Sequence, residues 1–333
     1  MKSHLYDFSL RNLLQILGPP LLPLGLFALV LHGGAALGLL PRPCPALDTD
    51  RTILFHQAQA TLERHNASLL FVGDSSCLMD VSVTQLDPLL PGAAPALNLG
   101  TLSYLDLHRF SSLVDHYVRT NPNQLRTVVL LLNPEALRRA SATDYHVEAL
   151  SHFYSGIDYC GPTLPPLLCG LGVEIFRGRL LSRAVPQPLS GAYGRFYGFT
   201  HDLWKYLSAH HGSAIDPGHF DAASAHGSAE YRLAKSLEKA SQDFRAALPD
   251  GVKLFVGITP LPESFVGPSF RQRYRDMLET WSQWLKADAA LTELPATLPD
   301  NLFASATHLN ERGVRLYTEQ LARAMLGSLR ASR

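Results

Sequence analysis

Charge is scarce in this chain. Only 17% of its 333 residues are Asp, Glu, Lys or Arg, against about a quarter in ordinary soluble domains. The charges also cancel, with 29 basic against 29 acidic side chains. This excludes a nucleic-acid binder relying on bulk positive charge, because phosphate affinity needs clustered Lys and Arg. Cysteine is scarcer still, with four residues and no CxxC pair. A disulfide scaffold and the common zinc and redox motifs are thereby excluded. Internal repeats and low-complexity tracts are absent. Hydrophobic residues are not lacking, at 46%, so the chain is not disordered. The long apolar run is single, which excludes a polytopic membrane protein.

That run lies at the N-terminus. From Leu13 to Leu40 there is no Asp, Glu, Lys or Arg, and Gln15 and His32 are the only strongly polar side chains. About 20 apolar residues span a bilayer, so the stretch suffices even with Pro19, Pro20 and Pro23 in its first turns. Lys2 and Arg11 precede it and favour a cytoplasmic N-terminus, although Arg42 and Arg51 weaken the asymmetry. The reading is a single-pass anchor in the inner (cytoplasmic) membrane, residues 1–45. The main domain, 46–333, then faces the periplasm or the cell exterior. Cleavage after the small residues Gly34-Ala35-Ala36 is the competing reading and leaves the body on the same side. In an oxidising compartment Cys160 and Cys169 are expected to close a short ring, two buried thiols being the alternative. Cys44 receives no role.

The body alternates strands with helices. Ser68–Gly73, Ala96–Gly100, Thr127–Leu132 and Lys253–Ile258 read as buried parallel strands. Leu105–Arg119, Ala229–Leu248, Phe270–Ala287 and Glu311–Leu326 read as helices. The alternation predicts an α/β fold, a mostly parallel sheet covered on both faces, with function at the carboxyl ends of the strands. A stretch at about 140–227, rich in Pro, Gly, Tyr and His, interrupts the rhythm and reads as an insertion.

Three strand ends carry candidate chemistry. Ser75, in Gly73-Asp74-Ser75, stands where a nucleophile would be presented at the sheet edge, or merely in a turn. It is not the Gly-x-Ser-x-Gly elbow, because Cys77 occupies the second glycine's place. Gly100 and Asn133 end the second and third strands and suit an oxyanion. Equally, they suit a turn and a helix cap, Pro134 marking a first helical turn. His308, just before the last helix, can reach back across the sheet or serve structure alone.

Taken together, Ser75, Gly100, Asn133 and His308 resemble, in order and context, the SGNH (GDSL) hydrolase superfamily. Gly73-Asp74-Ser75 and His308-Leu309-Asn310-x-x-Gly313 are the specific parts, and the likeness runs from about Ser68 to Leu326. It implies a flavodoxin-like three-layer α/β/α fold. With the single N-terminal span, the chain is most similar to the membrane-anchored branch around the D-alanyl transfer and alginate O-acetylation proteins. That likeness implies acyl transfer to an extracellular or envelope polysaccharide beside a membrane-bound O-acyltransferase. A carbohydrate esterase and a non-catalytic partner subunit are the alternatives. Under the resemblance Ser75 forms an acyl-enzyme and His308 is its general base, while Gly100 N–H, the Asn133 amide and Ser75 N–H hold the oxyanion.

One position departs from the family pattern. The aspartate expected three residues before the histidine is Ser305 here. Asp300 is the sequence-neighbouring substitute, and without one Ser305→Asp should restore activity. The histidines 201, 210, 211, 219 and 226, with Asp202, Asp216 and Asp221, match no metal-ligand spacing and read as a polar loop, so neither metal nor cofactor is expected. Trp204, Tyr206, Tyr193 and Tyr197 read as packing rather than as sugar platforms, and Trp281 with Trp284 as a core stripe.

Overall fold

Five apolar segments lie side by side in a parallel sheet of order β2-β1-β3-β4-β6. The structure is a computed structural model describing residues 10–36, 49–90, 95–102, 104–139, 142, 144–155, 200–223 and 231–331. The strands are β1 (Leu69–Gly73), β2 (Ala96–Asn98), β3 (Thr127–Leu132), β4 (Lys253–Ile258) and β6 (Ala289–Ala290). β5 (Leu261–Pro262) and β7 (Thr297–Leu298) form a separate parallel pair. In the main sheet Leu69 pairs with Thr127 and Gly73 with Leu131, and β3 continues the register onto β4 from Thr127–Lys253 to Leu132–Ile258. β1 and β3 are buried at every position. Burial on both faces is why their sequences are unbroken apolar runs rather than alternating ones.

Alternate side chains serve two cores. Leu70, Val72, Val128, Leu130, Leu254 and Val256 face one, and Leu69, Phe71, Val129, Leu131 and Phe255 the other. The first core is covered by α2 (Thr49–Thr61), α5 (Leu107–Thr120), α7 (Asp144–Ser155), α9 (Ser236–Ala247) and α10 (Phe270–Leu285). The second is covered by α3 (Ser75–Asp80), α4 (Val83–Leu86) and α11 (Glu311–Ala331). The architecture is α/β with helices on both faces of a parallel sheet. Trp281 is fully buried in the first core and Trp284 packs against it.

The stretch 140–227 is better integrated than an appended loop. Its described parts hold α7 and α8 (Thr200–Ala209), both packed on α2. Phe153 of α7 stacks on Phe55 at 5.1 Å, and His146 Nε2 meets Asp50 Oδ2 at 2.9 Å. α6 (Pro134–Arg139) follows β3 directly. Cys44, Cys160, Cys169, Tyr193 and Tyr197 lie outside the described residues, while Cys77 is buried and free.

The N-terminal stretch forms one helix, α1 (Leu10–Ala36), with Pro19, Pro20 and Pro23 inside it. Leu22, Leu26, Leu29 and Val30 are among its exposed side chains. Among the described residues no helix is long and apolar enough to cross a membrane.

Candidate active site

Ser75 opens α3 immediately after β1. The turn between them is fixed by Asp74, whose Oδ1 accepts from Ser76 N–H at 3.1 Å and from Ser76 Oγ at 2.6 Å. Its Oδ2 accepts from Asn133 N–H at 3.0 Å and so ties the end of β1 to the end of β3. Thr259, beyond β4, donates to Ser76 Oγ at 2.9 Å. Three strand ends are thus knitted beneath Ser75 by buried polar groups, each with a partner.

His308 arrives from the opposite side. Its carbonyl accepts from Ala304 N–H (2.9 Å) and Ser305 N–H (3.2 Å), and the following Leu309 N–H donates to Asp80 Oδ1 at 2.8 Å. These bonds set the ring with Nε2 2.8 Å from Ser75 Oγ. Its Nδ1 lies 2.8 Å from Asp216 Oδ2. A carboxylate only accepts, so Nδ1 carries the proton and Nε2 is left to accept from the Ser75 hydroxyl. The result is a serine–histidine–aspartate chain.

Asp216, in sequence part of a polar loop, is the acid of this chain. It is delivered by the segment after α8, which is clamped along the edge strand. Asn98 N–H donates to the His211 carbonyl, and Ala214 N–H to that of Leu78, both at 2.9 Å. Gln57, fully buried, donates to the carbonyls of Gly100 (2.8 Å) and Gly212 (2.9 Å). Gly212 has φ +86°, and a Cβ there would stand 2.0 Å from the Asn98 carbonyl, so only glycine permits this approach. The signal for Asp216 was a carboxylate in a His-rich stretch. Nothing local tied it to a histidine 92 residues away.

Asp300 does not support His308. Its Oδ1 accepts from Ser264 N–H at 3.0 Å on the exposed side of a short helical turn. Ser305, at the vacated position, accepts from His308 N–H at 3.1 Å.

The two further oxyanion candidates differ in what holds their donors. Gly100 N–H donates to Asn98 Oδ1 at 2.8 Å, so the Asn98 side chain has claimed this amide. The glycine is there for space, since a Cβ would lie 2.5 Å from Leu78 N in α3. Asn133 is different. Its Oδ1 caps α6 through Glu135 N–H at 2.9 Å, which leaves Nδ2 buried with no hydrogen-bond partner. A buried donor without an acceptor is costly, and a developing oxyanion is what such a donor suits.

The carboxyls around the site are sorted by their surroundings. Burial would raise Asp216, but the hydrogen bonds from His308 and Gly218 N–H outweigh it and hold the group below the usual carboxylate range. Burial raises Asp74, against its bonds from Ser76 and Asn133. Burial pushes Asp80 well up, opposed by Leu309 N–H and reinforced by Asp74 and Asp216. Asp216 is therefore the carboxylate that keeps its charge beside the imidazole. Among the described residues no group of three His, Cys, Asp or Glu side chains could hold a metal. A separate cavity of about 120 Å³ lies between α2, α8 and β2, with His56, His65 and Trp204 in its lining and Ser75 outside it. Tyr206 stacks on His210 at 4.0 Å.

No family model and no curated protein matches the chain. Two solved structures align over most of its length. One, from Streptococcus pneumonia, is provisionally described as a platelet activating factor. It shares 9% identity at a TM-score of 0.38, over 84% of this chain and 92% of its own. The other is a carbohydrate acetylesterase family member from Sinorhizobium meliloti, with 12% identity and a TM-score of 0.30. That alignment covers 79% of this chain and 99% of the other. Likeness at this level carries no functional argument, which rests on the site itself.

Proposed function

We propose that the chain is a serine acyl hydrolase or acyltransferase working through an acyl-Ser75 intermediate. The observation that carries this is the relay Ser75 Oγ–His308 Nε2 and His308 Nδ1–Asp216, 2.8 Å at each step. In the reaction His308 takes the hydroxyl proton as Ser75 Oγ attacks an ester carbonyl. Asp216 stabilises the imidazolium that forms, and Asn133 Nδ2 donates to the oxyanion. His308 then protonates the leaving alcohol. Water or an acceptor hydroxyl, deprotonated by His308, releases the acyl group and restores Ser75. The scaffold reading loses its motive, because it rested on a missing carboxylate and Asp216 supplies one.

An envelope or extracellular polysaccharide is the substrate we favour, with a membrane-bound O-acyltransferase as donor partner. This rests on the resemblance of the Ser75 and His308 motifs. Anchorage in the inner membrane through 1–45 belongs to the same proposal, supported by the charge-free run Leu13–Leu40 and the exposed leucines of α1. The direct test is labelling with a fluorophosphonate and turnover of an activated acetyl ester. Ser75 should be the only serine modified, and Ser75→Ala should abolish both signals. Labelling undiminished in that variant overturns the reading.

A further inference from the structure

Ser75 and His308 come from distant parts of the chain, and one buried side chain ties their supports together. Asp80 is the last residue of α3, the short helix that Ser75 opens. The peptide group between His308 and Leu309 is held at both ends. Its carbonyl accepts from Ala304 N–H (2.9 Å) and Ser305 N–H (3.2 Å), which belong to the same turn. Its N–H donates to Asp80 Oδ1 at 2.8 Å. The first two bonds shape the turn, and the third fixes it against α3. Asp80 is fully buried, so no solvent competes for that bond.

The surroundings of Asp80 differ from those of Asp216. Asp216 faces the His308 ring, whereas Asp80 Oδ2 is buried with no hydrogen-bond partner. The titratable groups coupled to Asp80 are Asp74, Asp216, Cys77 and Tyr317, all of them acids rather than cations. The Tyr317 hydroxyl, from α11 in the same core as Leu309, is likewise buried without a partner. An unpaired carboxylate is costly in such a place, so the acid form is favoured there. We infer that Asp80 is a positioning residue of the acyl-transfer reaction, fixing the His308 backbone at reacting distance from Ser75 as a hydrogen-bond acceptor and not as a charge. The inference rests on the acyl-Ser75 reading.

Two substitutions and two measurements test it. Asp80→Leu keeps the volume and removes the acceptor. At a temperature where it is folded, kcat on an activated acetyl ester should fall roughly tenfold to a hundredfold, the scale of a small misplacement of a reacting group. KM should stay near wild type, because a fully buried Asp80 does not touch the ester. Asp80→Asn still presents Oδ1 to Leu309 N–H, without a carboxylate, and should bring kcat back to the wild-type range. The second measurement needs no turnover: hydrogen exchange at Leu309 N–H should be slow in wild type and in Asp80→Asn, and several-fold faster in Asp80→Leu. Wild-type kcat in a folded Asp80→Leu protein, or a fast Leu309 amide in the wild type, overturns the inference. So does an Asp80→Asn protein as impaired as Asp80→Leu, which would make the charge the working part. If Asp80→Leu does not fold, the Asn variant and the wild-type amide decide. A wild type that is neither labelled nor active overturns the acyl-Ser75 reading instead, and the Leu309 amide still reports whether Asp80 holds the turn.

Discussion

At the residue scale, the site depends on which of several carboxyls faces the imidazole. Asp216→Asn should reduce turnover of an activated ester on the order of 10⁴-fold, the loss seen when an amide replaces such a carboxylate elsewhere. Asp300→Asn, whose side chain serves Ser264 N–H, should leave turnover unchanged. Steady-state kinetics on both variants separates the two acids. The structure also reverses the sign expected for Ser305→Asp. Read from sequence, that change repairs a missing charge. With Asp216 already in place, it sets a second carboxylate against the first, and like charges that close cannot both stay ionised. Activity should fall, and a gain would show that Asp216 is not the working acid. Ser75, His308 and Asn133 were legible because each follows or precedes an element whose boundary the sequence marks. Asp216 was not, since its place depends on Gln57, Asn98 and Leu78 catching a turn-rich segment. At Gly100 the two readings are separated only by a local bond the sequence does not show, the N–H donated to the Asn98 side chain two residues away.

At the element scale, β3 and β4 coincide with the runs Thr127–Leu132 and Lys253–Ile258, because burial on both faces leaves an unambiguous apolar signature. β6 is two alanines and leaves none. The segment bearing Asp216 is held to the edge strand at Gly212. A Gly212→Ala change meets both the positive φ and the Asn98 carbonyl, so it should cost at least about 1 kcal/mol. Ester turnover at a temperature where the variant remains folded should drop further than the lost stability explains. Thermal melts beside kinetics check this, and unimpaired turnover would show that the clamp does not place the acid. Between α2 and α8 a different sensitivity is built in. His56 is buried, bonded to Gln57 and Ser208, and its imidazole is lowered to about 4 by burial, against the Gln57 bond and with a smaller push from His65. The folded state thus prefers the neutral ring. The stability this confers is complete above the unfolded value near 6.5 and is lost as pH falls towards 4. The loss between pH 7 and 5 should be about 2 kcal/mol. Urea unfolding at both pH values should show a loss larger by this amount in the wild type than in His56→Gln. Asp74 and Asp80, raised by burial, act in the opposite sense and cancel in the comparison.

At the scale of the whole molecule, the α/β body is expected to fold without the N-terminal helix. Among the described residues, the two main cores, on opposite faces of the sheet, draw their buried side chains from residue 54 onward. The described leucines of α1 are exposed, so they add little burial that would offset its loss. Removal of residues 1–40 should therefore leave a folded protein, with a thermal midpoint within a few degrees of the full chain and the same kcat/KM on a soluble activated ester. What it should lose is retention with the membrane fraction, because the charge-free stretch Leu13–Leu40 is the segment suited to a bilayer. Fractionation and kinetics on the two proteins give separable outcomes. Unchanged retention would put the membrane contact in the body, and unfolding would show that α1 packs against the catalytic domain after all. Equal activity towards a soluble ester, with activity towards a membrane-delivered acyl donor lost, would tie the helix to delivery of the acyl group. The chemistry itself would then reside entirely in the sheet-edge relay of Ser75, His308 and Asp216.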